Sequence, residues 1–482
     1  MVQIFIILLY FVLTVCIGMY SSRKSKTSDT FHGANMGVFM VVCAAAGEWL
    51  GGTSTTGVSE YGFDFGISGA WYTIANGVGV IFLALLFAKL YRSLNTVTVP
   101  GIIGKFLGVS ARTVSSVFLT FVMLAVGISQ MIAAGSLGVS LLSIDFNLAV
   151  IAFGIVFIVY TLAGGMNAVA STNVMHLVVM YGGIILAVIL ALGKVGGWES
   201  FTEGVRAVEA SDGGNYFNMF SIGMPKVSSW IIASLLGACT AQAGIQPVLA
   251  SKDVPTAKKA CIITAFVVAP FGIFSALLGV VAKVMSHQGT LIGAGGTVVT
   301  SGKLALPVLM MNLTPVAGGI VLASILAAIL STVSPLILAS GTMVTKDLYQ
   351  GVLKKTASDA DVLRMSRITT AASGIICASA AIIFNNLGIR VLDIVYFAYS
   401  MRGALFVVML LGIYYKHTSS KGAVCGMIST AAVGLFWVVY NAITGHFPIH
   451  PDFTETYASV LVALISTLAF SVVFPKEKSK TA

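Results

Sequence analysis

Thirteen long apolar segments, joined by short polar connections, limit what this chain can fold into more than any other feature. In lipid, a single segment can satisfy its backbone hydrogen bonds only as an α-helix. Charged residues make up 9% of the chain, against about 25% in a soluble domain. We therefore predict an all-α polytopic membrane protein with thirteen transmembrane helices, which excludes a soluble enzyme, a secreted disulfide scaffold and a disordered protein. The segments are residues 2–20, 36–61, 68–90, 114–142, 148–162, 172–192, 230–249, 261–284, 316–344, 368–384, 391–414, 423–443 and 459–474.

The basic residues predict how these helices are oriented. With the N-terminus outside, twenty of the 27 Lys and Arg residues fall on the inside, six fall outside and Arg402 lies within a span. Because cytoplasmic loops are enriched in Lys and Arg, we predict that the N-terminus lies outside and the C-terminus inside. The formal net charge of +10 then belongs to the cytoplasmic face and does not indicate a nucleic-acid site.

Two of the segments carry residues that interrupt a helix. The second contains residues 47–57, in which four Gly and four Ser or Thr weaken any helix. The seventh contains Gly237, Gly244 and Pro247, and Pro247 has no backbone N–H to donate. Interrupted spans five helices apart are typical of transporters built from two inverted repeats. The alternative is that the glycines only allow close helix packing.

The spacing of the interrupted spans predicts the organisation of the chain. Spans 2–6 and spans 7–11 would form the two repeats, and because five is odd, the repeats would insert with opposite orientation. The predicted divisions are an extra N-terminal helix and basic cytoplasmic loop in residues 1–33, the first repeat in 34–193, an external loop in 194–228, the second repeat in 229–415, and two C-terminal helices with a basic tail in 416–482.

Short motifs follow one another along these spans. They are GEWLGGTSTTG at 47–57, GGMNAV at 164–169, AAILST at 327–332, TKDLY at 345–349, GIYYK at 412–416 and KGAVCG at 421–426. In order and spacing, over nearly the whole chain, they resemble the sodium:solute symporter family. The resemblance implies the leucine-transporter fold, with one helix before the two repeats and two helices after them.

The resemblance also implies a sodium site. By position, its ligands would be the carbonyls of Gly47, Leu50 and Ala328 and the hydroxyls of Ser331 and Thr332. Such oxygen ligands suit a hard cation, and an unwound helix frees the carbonyls. The alternative is that each hydroxyl bonds back to a carbonyl one turn earlier on its own helix. Sodium is the expected coupling ion, and we expect no other metal.

The chain departs from the family at a second sodium site that some members carry. The position of that site's Asp is Asn173, and its hydroxyl positions on the ninth span are Ser334 and Pro335. Without a carboxylate to offset a second Na⁺, we predict a single coupling sodium. His176, one turn after Asn173, is either a group that titrates with protons or an interfacial histidine near the cytoplasmic end of the sixth span.

Glu48 and Arg402 are charged residues placed inside spans. Intramembrane charges are functional hypotheses by default and usually pair. In the fold that the family implies, both border the solute cavity. Either they pair as a gate or structural link, or Arg402 binds a carboxylate and Glu48 an amine of the solute, or they face the cytoplasm or water.

Other candidate residues for solute binding or gating have weaker support. Gln242 and Gln246 match a pattern seen in the corresponding helix of the family. For two aromatic candidates, Trp71 and Tyr396, the alternative is an interfacial or packing role. The remaining candidates are Thr53 and Ser54.

From these observations we expect a Na⁺-coupled secondary active symporter that imports a small organic solute, such as an amino acid, carboxylate or amine, by alternating access. It would not be an enzyme, and without a P-loop motif ATP would not drive it. The alternatives are a proton-coupled symporter in which Glu48 or His176 titrates, and a solute sensor or channel without coupled transport. The expected location is a cell (inner) membrane, with the lipid bilayer and a solute as partners, no nucleic acid and no obligate protein partner.

Overall fold

The computed structural model describes residues 2–22, 35–142, 144–293, 295–387 and 391–476. In these ranges the regular structure is helical, apart from two isolated β-bridges that join Met36 to Ser251 and Ile292 to Val298. The all-α class predicted from the apolar segments is therefore confirmed.

Eighteen α-helices follow one another along the described ranges. They are α1 (Val2–Ser22), α2 (Val38–Trp49), α3 (Val58–Phe65), α4 (Trp71–Phe82), α5 (Ala88–Ser93), α6 (Val99–Leu142), α7 (Phe146–Lys194), α8 (Gly197–Asp212), α9 (Met224–Gly237), α10 (Gln242–Leu249), α11 (Val254–Val268), α12 (Phe271–His287), α13 (Gly302–Met311), α14 (Pro315–Met343), α15 (Asp359–Asn386), α16 (Val391–Tyr414), α17 (Ser420–Thr444) and α18 (Glu455–Val473). Wider π-helical turns cover Thr53–Gly57, Leu83–Phe87 and Val344–Leu353, and tighter 3₁₀ turns cover Gly66–Ala70 and Ala238–Thr240.

Within the described ranges, nine helical stretches are long and apolar enough to cross a membrane, or ten if the bent pair α9–α10 counts as one span. Each of the thirteen predicted segments coincides with a helix, but several of these helices are short. The fifth and sixth predicted segments lie in one continuous helix, α7. The structure thus supports a polytopic membrane protein with about nine or ten apolar spans, and the count of thirteen stays a prediction.

Helix α14 lies at the centre of the molecule. It packs against α1, α2, α6, α7 and α15, and an apolar stretch of 18 residues within Pro315–Leu353 is 94% buried. The corresponding stretch of 18 residues within Asp359–Asn386 is only 28% buried, so α15 presents most of that stretch outward. A helix that is apolar on all faces is expected in such a central position. Residues on α14 are therefore held by neighbours on every side.

Both predicted helix interruptions are confirmed. The first lies between α2 and the π-helical turn, where Leu50 has φ −107° and ψ 61°, outside helical geometry. The second lies between α9 and α10, which are bent by 43°. There a 3₁₀ turn ends at Ala241, with ψ 85°. Pro247 is not the break, because it lies inside α10, six residues beyond Ala241.

Candidate ion and solute sites

The interrupted second span brings its backbone against α14. Gly51 has no room for a side chain, since an added Cβ would lie 2.5 Å from Thr332 Oγ1 and 2.6 Å from Gln130 Oε1. Gly47 is equally constrained, because a Cβ there would lie 2.1 Å from Asn173 Nδ2. The glycines of this span are thus required for close approach as well as for the break.

Four of the five predicted sodium ligands lie together. Ser331 Oγ is 3.2 Å from the Gly47 carbonyl and 2.8 Å from the Ala328 carbonyl, and Thr332 Oγ1 is 2.7 Å from the Gly47 carbonyl. All are buried, with Ser331 and Thr332 at most 1% exposed. Leu50, the fifth, is buried where the backbone leaves helical geometry.

The hydroxyls of Ser331 and Thr332 differ in whether they form a hydrogen bond within their own helix. The bond from Ser331 to Ala328 is the back-bond expected of a structural serine. The bond from Thr332 to Gly47 runs between helices. The arrangement therefore gathers neutral oxygens from α2 and α14 at one buried point, which fits the donor set of a monovalent hard cation.

Asn173 of α7 lies beside this oxygen group. Its side-chain amide is 3.5 Å from the Ala44 carbonyl and 3.4 Å from the Ser331 carbonyl. Ser334 lies on α14, one turn after Ser331. It is buried, and its hydroxyl has no hydrogen-bond partner among the described residues. At the position where some members of the family have an Asp, this chain therefore has a neutral amide.

His176 is buried between two helices. Its side chain is 0% exposed, and its Nδ1 is hydrogen-bonded to the hydroxyl of Tyr10 on α1. An imidazole exposed to water or lipid headgroups is therefore excluded. The imidazole instead joins the first helix to α7.

Glu48 and Arg402 form a buried ion pair. Arg402 Nη1 is 3.6 Å from Glu48 Oε1, and the side chains are 0% and 1% exposed. The guanidinium lies over the ring of Tyr399, with Cζ 3.8 Å from the centroid, and 5.5 Å from the centroid of Trp49. A position facing water or the cytoplasm is thereby excluded, and the pairing that the sequence left open is present.

The second interruption makes room for this pair. A Cβ on Gly244 would lie 3.1 Å from Glu48 Oε2, and a Cβ on Gly237 would lie 3.4 Å from Arg402 Cβ. Thr240, in the 3₁₀ turn, donates to the Arg402 carbonyl at 2.7 Å. Both broken spans therefore meet α16 at the charged pair.

Aromatic side chains surround the pair formed by Glu48 and Arg402. Trp230 stacks on Tyr396 with centroids 4.2 Å apart and planes at 7°. Tyr72 stacks on Tyr399 at 6.1 Å, and their hydroxyls are 3.0 Å apart. Thr53 Oγ1 lies 2.9 Å from the Tyr72 hydroxyl, so Thr53 and Tyr396 both belong to this group of side chains. Tyr72, Tyr399 and Trp230 were not predicted.

Gln130 of α6 was also missed by sequence reasoning. Its Oε1 accepts the Gly52 N–H at 2.6 Å, and its Nε2 lies 3.4 Å from Thr53 Oγ1. It thereby satisfies a backbone donor that the break in the second span frees. The available signal was a lone Gln in an apolar span, which sequence alone does not separate from a polar packing residue.

The other predicted residues lie elsewhere. Trp71 is half-buried and donates to the Met219 carbonyl at 2.8 Å. Ser54 donates to the Gly51 carbonyl at 2.7 Å, one turn back along its own chain. Within the described residues, neither side chain forms a hydrogen bond with Glu48 or Arg402.

The two glutamines of α10 are buried. Gln242 accepts the Val99 N–H at 2.7 Å and donates to the Val97 carbonyl at 3.0 Å, which holds the start of α6. Gln246 is 1% exposed. The role of Gln242 that the structure shows is therefore a link between the broken seventh span and α6.

An ion pair joins the start of α6 to the end of the central span. Arg112 Nε and Nη2 lie 2.8 Å and 2.7 Å from Asp347 Oδ1. Thr98 donates to the same oxygen at 3.0 Å. Asp347 is 0% exposed and Arg112 33% exposed. Asp347 belongs to the TKDLY motif, so that motif serves here to fix two helices together.

Comparison with known proteins agrees with this arrangement. A model of the sodium:solute symporter family matches residues 31–430. The osmoregulated proline transporter OpuE of Bacillus subtilis is 26% identical over 95% of this chain and 94% of its own length. The sodium/glucose cotransporter of Vibrio parahaemolyticus is 23% identical over 96% of this chain and 90% of its own. The solved structure of a Na⁺-coupled sialic acid symporter superposes with a TM-score of 0.79 at 18% identity, covering 99% of both chains, which shows a shared fold.

Proposed function

Because the chain belongs to the sodium:solute symporter family, we propose that it is a Na⁺-coupled secondary active symporter. It would import a small organic solute by alternating access, with one sodium ion per cycle. The observation that carries this proposal is the meeting of the Ser331 and Thr332 hydroxyls at the Gly47 carbonyl. These oxygens join the interrupted second span to the central helix α14.

The chemistry of this oxygen group favours sodium. Carbonyl and hydroxyl oxygens at the break of a discontinuous helix are the ligands that such transporters offer to a coupling ion. A cation held between α2 and α14 ties the two spans together, and its departure releases them. Ion binding would thereby bias the equilibrium between two conformations by its differential affinity for them.

A single sodium is proposed because Asn173 is neutral. Its amide contacts the carbonyls of Ala44 and Ser331 where the family's second site would have a carboxylate. Pro335 also lacks the hydroxyl that this second site would use. Two nearby cations without an anion would repel each other in a buried site.

The proposed topology has thirteen spans with the N-terminus outside and the C-terminus inside, in a cell (inner) membrane. It rests on the uneven distribution of Lys and Arg and on the thirteen apolar segments of the sequence. The two repeats would occupy residues 34–193 and 229–415. The two interruptions fall at comparable places in these repeats, as inverted-repeat transporters require.

Stability measurements on the purified protein test the sodium site. Thermal unfolding would be followed as Na⁺ is titrated against choline at constant ionic strength. At 100 times its Kd, a ligand of the folded state stabilises by about 2.7 kcal/mol. We expect wild type to show this Na⁺-specific rise with a Hill slope near one, and Ser331→Ala and Thr332→Ala to lose it.

Ser340→Ala is the matched control. Ser340 lies on the same helix, is equally buried, and donates to the Leu336 carbonyl at 2.9 Å, one turn back along its own helix. It should keep the Na⁺ response. If choline stabilises as well as Na⁺, or if both site variants respond like Ser340→Ala, the sodium assignment fails. A melting temperature that depends on pH and not on Na⁺ would favour the proton-coupled alternative, with Glu48 and His176 as the residues to substitute.

A further inference from the structure

We propose that Glu48 and Arg402 recognise a small zwitterion, whose carboxylate binds Arg402 and whose ammonium group binds Glu48. This inference rests on the proposed function, because it names the class of solute that the symporter carries. It assigns to the buried pair a role in binding beyond that of a fixed link between helices.

Arg402 has unused hydrogen-bonding capacity in a place that excludes water. Its side chain is 0% exposed, and none of its three guanidinium nitrogens has a hydrogen-bond partner among the described residues. Guanidinium carries five N–H donors in a planar fork, and a carboxylate matches two of them at once. Buried polar groups are normally hydrogen-bonded. The site therefore calls for an anion with two oxygens.

Glu48 is incompletely satisfied in the same way. Its Oε2 is buried without a hydrogen-bond partner among the described residues. The distance of 3.6 Å from Oε1 to Arg402 Nη1 is longer than a hydrogen bond. The two ions are close enough to attract each other, but neither satisfies the other. Glu48 therefore calls for a positively charged donor.

Only a ligand with both charges serves both groups. A simple anion would bind Arg402 but would place its charge beside Glu48. A simple amine would bind Glu48 and leave the guanidinium without an acceptor, which is costly in a buried site. A neutral sugar would offer only hydroxyl groups, which do not neutralise the charges of Arg402 and Glu48. A solute whose carboxylate and ammonium are carried on one carbon matches two opposite charges 3.6 Å apart.

The aromatic side chains around the ion pair would limit the rest of the solute. The Tyr399 ring lies 3.8 Å beneath the guanidinium and fixes its plane. The stacked pair of Trp230 and Tyr396 continues the aromatic surface, with Tyr396 and Tyr399 centroids 5.9 Å apart. Trp230 Nε1 and the Tyr396 hydroxyl are buried without hydrogen-bond partners among the described residues. The aromatic faces favour a compact, largely apolar side chain on the carbon that carries both charged groups.

The test measures stabilisation by solutes in saturating Na⁺. The probes are the individual neutral L-amino acids, L-proline and L-alanine among them. For any that stabilises, its decarboxylated and deaminated analogues are measured beside it (pyrrolidine and cyclopentanecarboxylate for proline). D-glucose is the uncharged probe. We expect at least one amino acid to stabilise, and each analogue that lacks one charge to bind at least about tenfold more weakly, since hydrogen bonds to charged groups are the strong ones.

Three variants separate recognition from folding. Arg402→Gln and Glu48→Gln should each weaken amino-acid binding by at least about tenfold. Because each leaves one buried charge unpaired, the double variant Glu48→Gln/Arg402→Gln is needed, which removes both charges. It should keep its Na⁺-dependent stabilisation, which shows that it is folded, and lose the amino-acid response. Lys283→Gln is the control, since Lys283 is also paired with an Asp and lies over an aromatic ring, but far along the chain.

The outcomes distinguish this inference from the function on which it rests. If Na⁺ fails to stabilise any form, the proposed function fails. If Na⁺ stabilises but no amino acid does, or glucose or a singly charged analogue does so equally well, only the zwitterion proposal fails. The same holds if the double variant binds amino acids as wild type does, because the pair would then be a structural link.

Discussion

The ion pair between Arg112 and Asp347 should couple α6 to the central span by a measurable energy. Both interacting nitrogens lie 2.7–2.8 Å from one carboxylate oxygen. Unit charges at this distance attract by about 6 kcal/mol at an effective dielectric constant of about 20. Burial of Asp347 offsets much of this attraction, and solvent screens Arg112, which is 33% exposed. We expect a net coupling of about 2 kcal/mol.

A double-mutant cycle measures this coupling. Arg112→Gln leaves the buried Asp347 carboxylate with the Thr98 hydroxyl as its remaining donor among the described residues, so it should be the more harmful single change. Asp347→Asn leaves Arg112 free to turn toward water. The double variant should therefore lose about 2 kcal/mol less stability than the sum of the two single changes. The assay is unfolding of the purified protein in mixed detergent micelles, with the unfolding free energy taken from each titration.

Arg92→Gln provides the control for the cycle. Arg92 is another arginine of this region, but it donates to the Ser251 carbonyl at 2.6 Å and does not pair with Asp347. Combined with Asp347→Asn, its effect should be additive. If the effects of Arg112→Gln and Asp347→Asn also add to within about 0.5 kcal/mol, the two side chains are not energetically coupled and our reasoning about this pair is refuted.

Three further predictions address single groups. Gln130→Leu should lower the unfolding free energy by about 1–3 kcal/mol, because the buried Gly52 N–H loses its acceptor; unchanged stability would contradict this. Gly47→Ala should weaken Na⁺-dependent stabilisation, since its Cβ would lie 2.1 Å from a neighbouring amide, and an unaltered Na⁺ midpoint would oppose it. Hydrogen bonds from the side chain and backbone of Thr256 hold the pKa of Asp253 below its usual value. Its stabilising effect is then present above the unfolded pKa of about 3.9 and lost as pH falls through the lower folded pKa, so the difference in stability between wild type and Asp253→Asn should shrink as pH falls below about 3.9.

The sequence was most informative where a local signal had a single physical meaning. Apolar runs predicted helices because lipid allows no other structure for them. The run of Gly and hydroxyl residues from 47 to 57 predicted a break, and the break is there. The resemblance to a family placed Ser331 and Thr332, whose contact with Gly47 the structure shows. These features depend on one segment at a time, or on a motif.

Features that depend on packing between segments were not predictable in the same way. Pro247 suggested the site of the second break, but the backbone departs from helical geometry at Ala241. In the sequence, Gln130 and Tyr399 are not distinguishable from packing residues of apolar spans. Only the fold shows that Gln130 accepts the free Gly52 N–H and that Tyr399 lies beneath the Arg402 guanidinium. For Glu48, the sequence placed a charge within an apolar span and left both its burial and its partner open, and the fold shows it buried beside Arg402.

Gly47 and Glu48 are consecutive residues, and this adjacency has a thermodynamic consequence. The Gly47 carbonyl, which both hydroxyls of α14 contact, and the Glu48 nitrogen belong to one rigid peptide plane. The plane cannot turn toward one set of partners without displacing the carboxylate that faces Arg402. A cation that binds the Gly47 carbonyl thus changes the affinity of the Glu48 carboxylate for its own ligand. By thermodynamic linkage, a ligand of the carboxylate changes the affinity for the cation by the same factor. In the proposed symporter, the coupling between ion binding and solute binding would thereby depend on the orientation of a single peptide group.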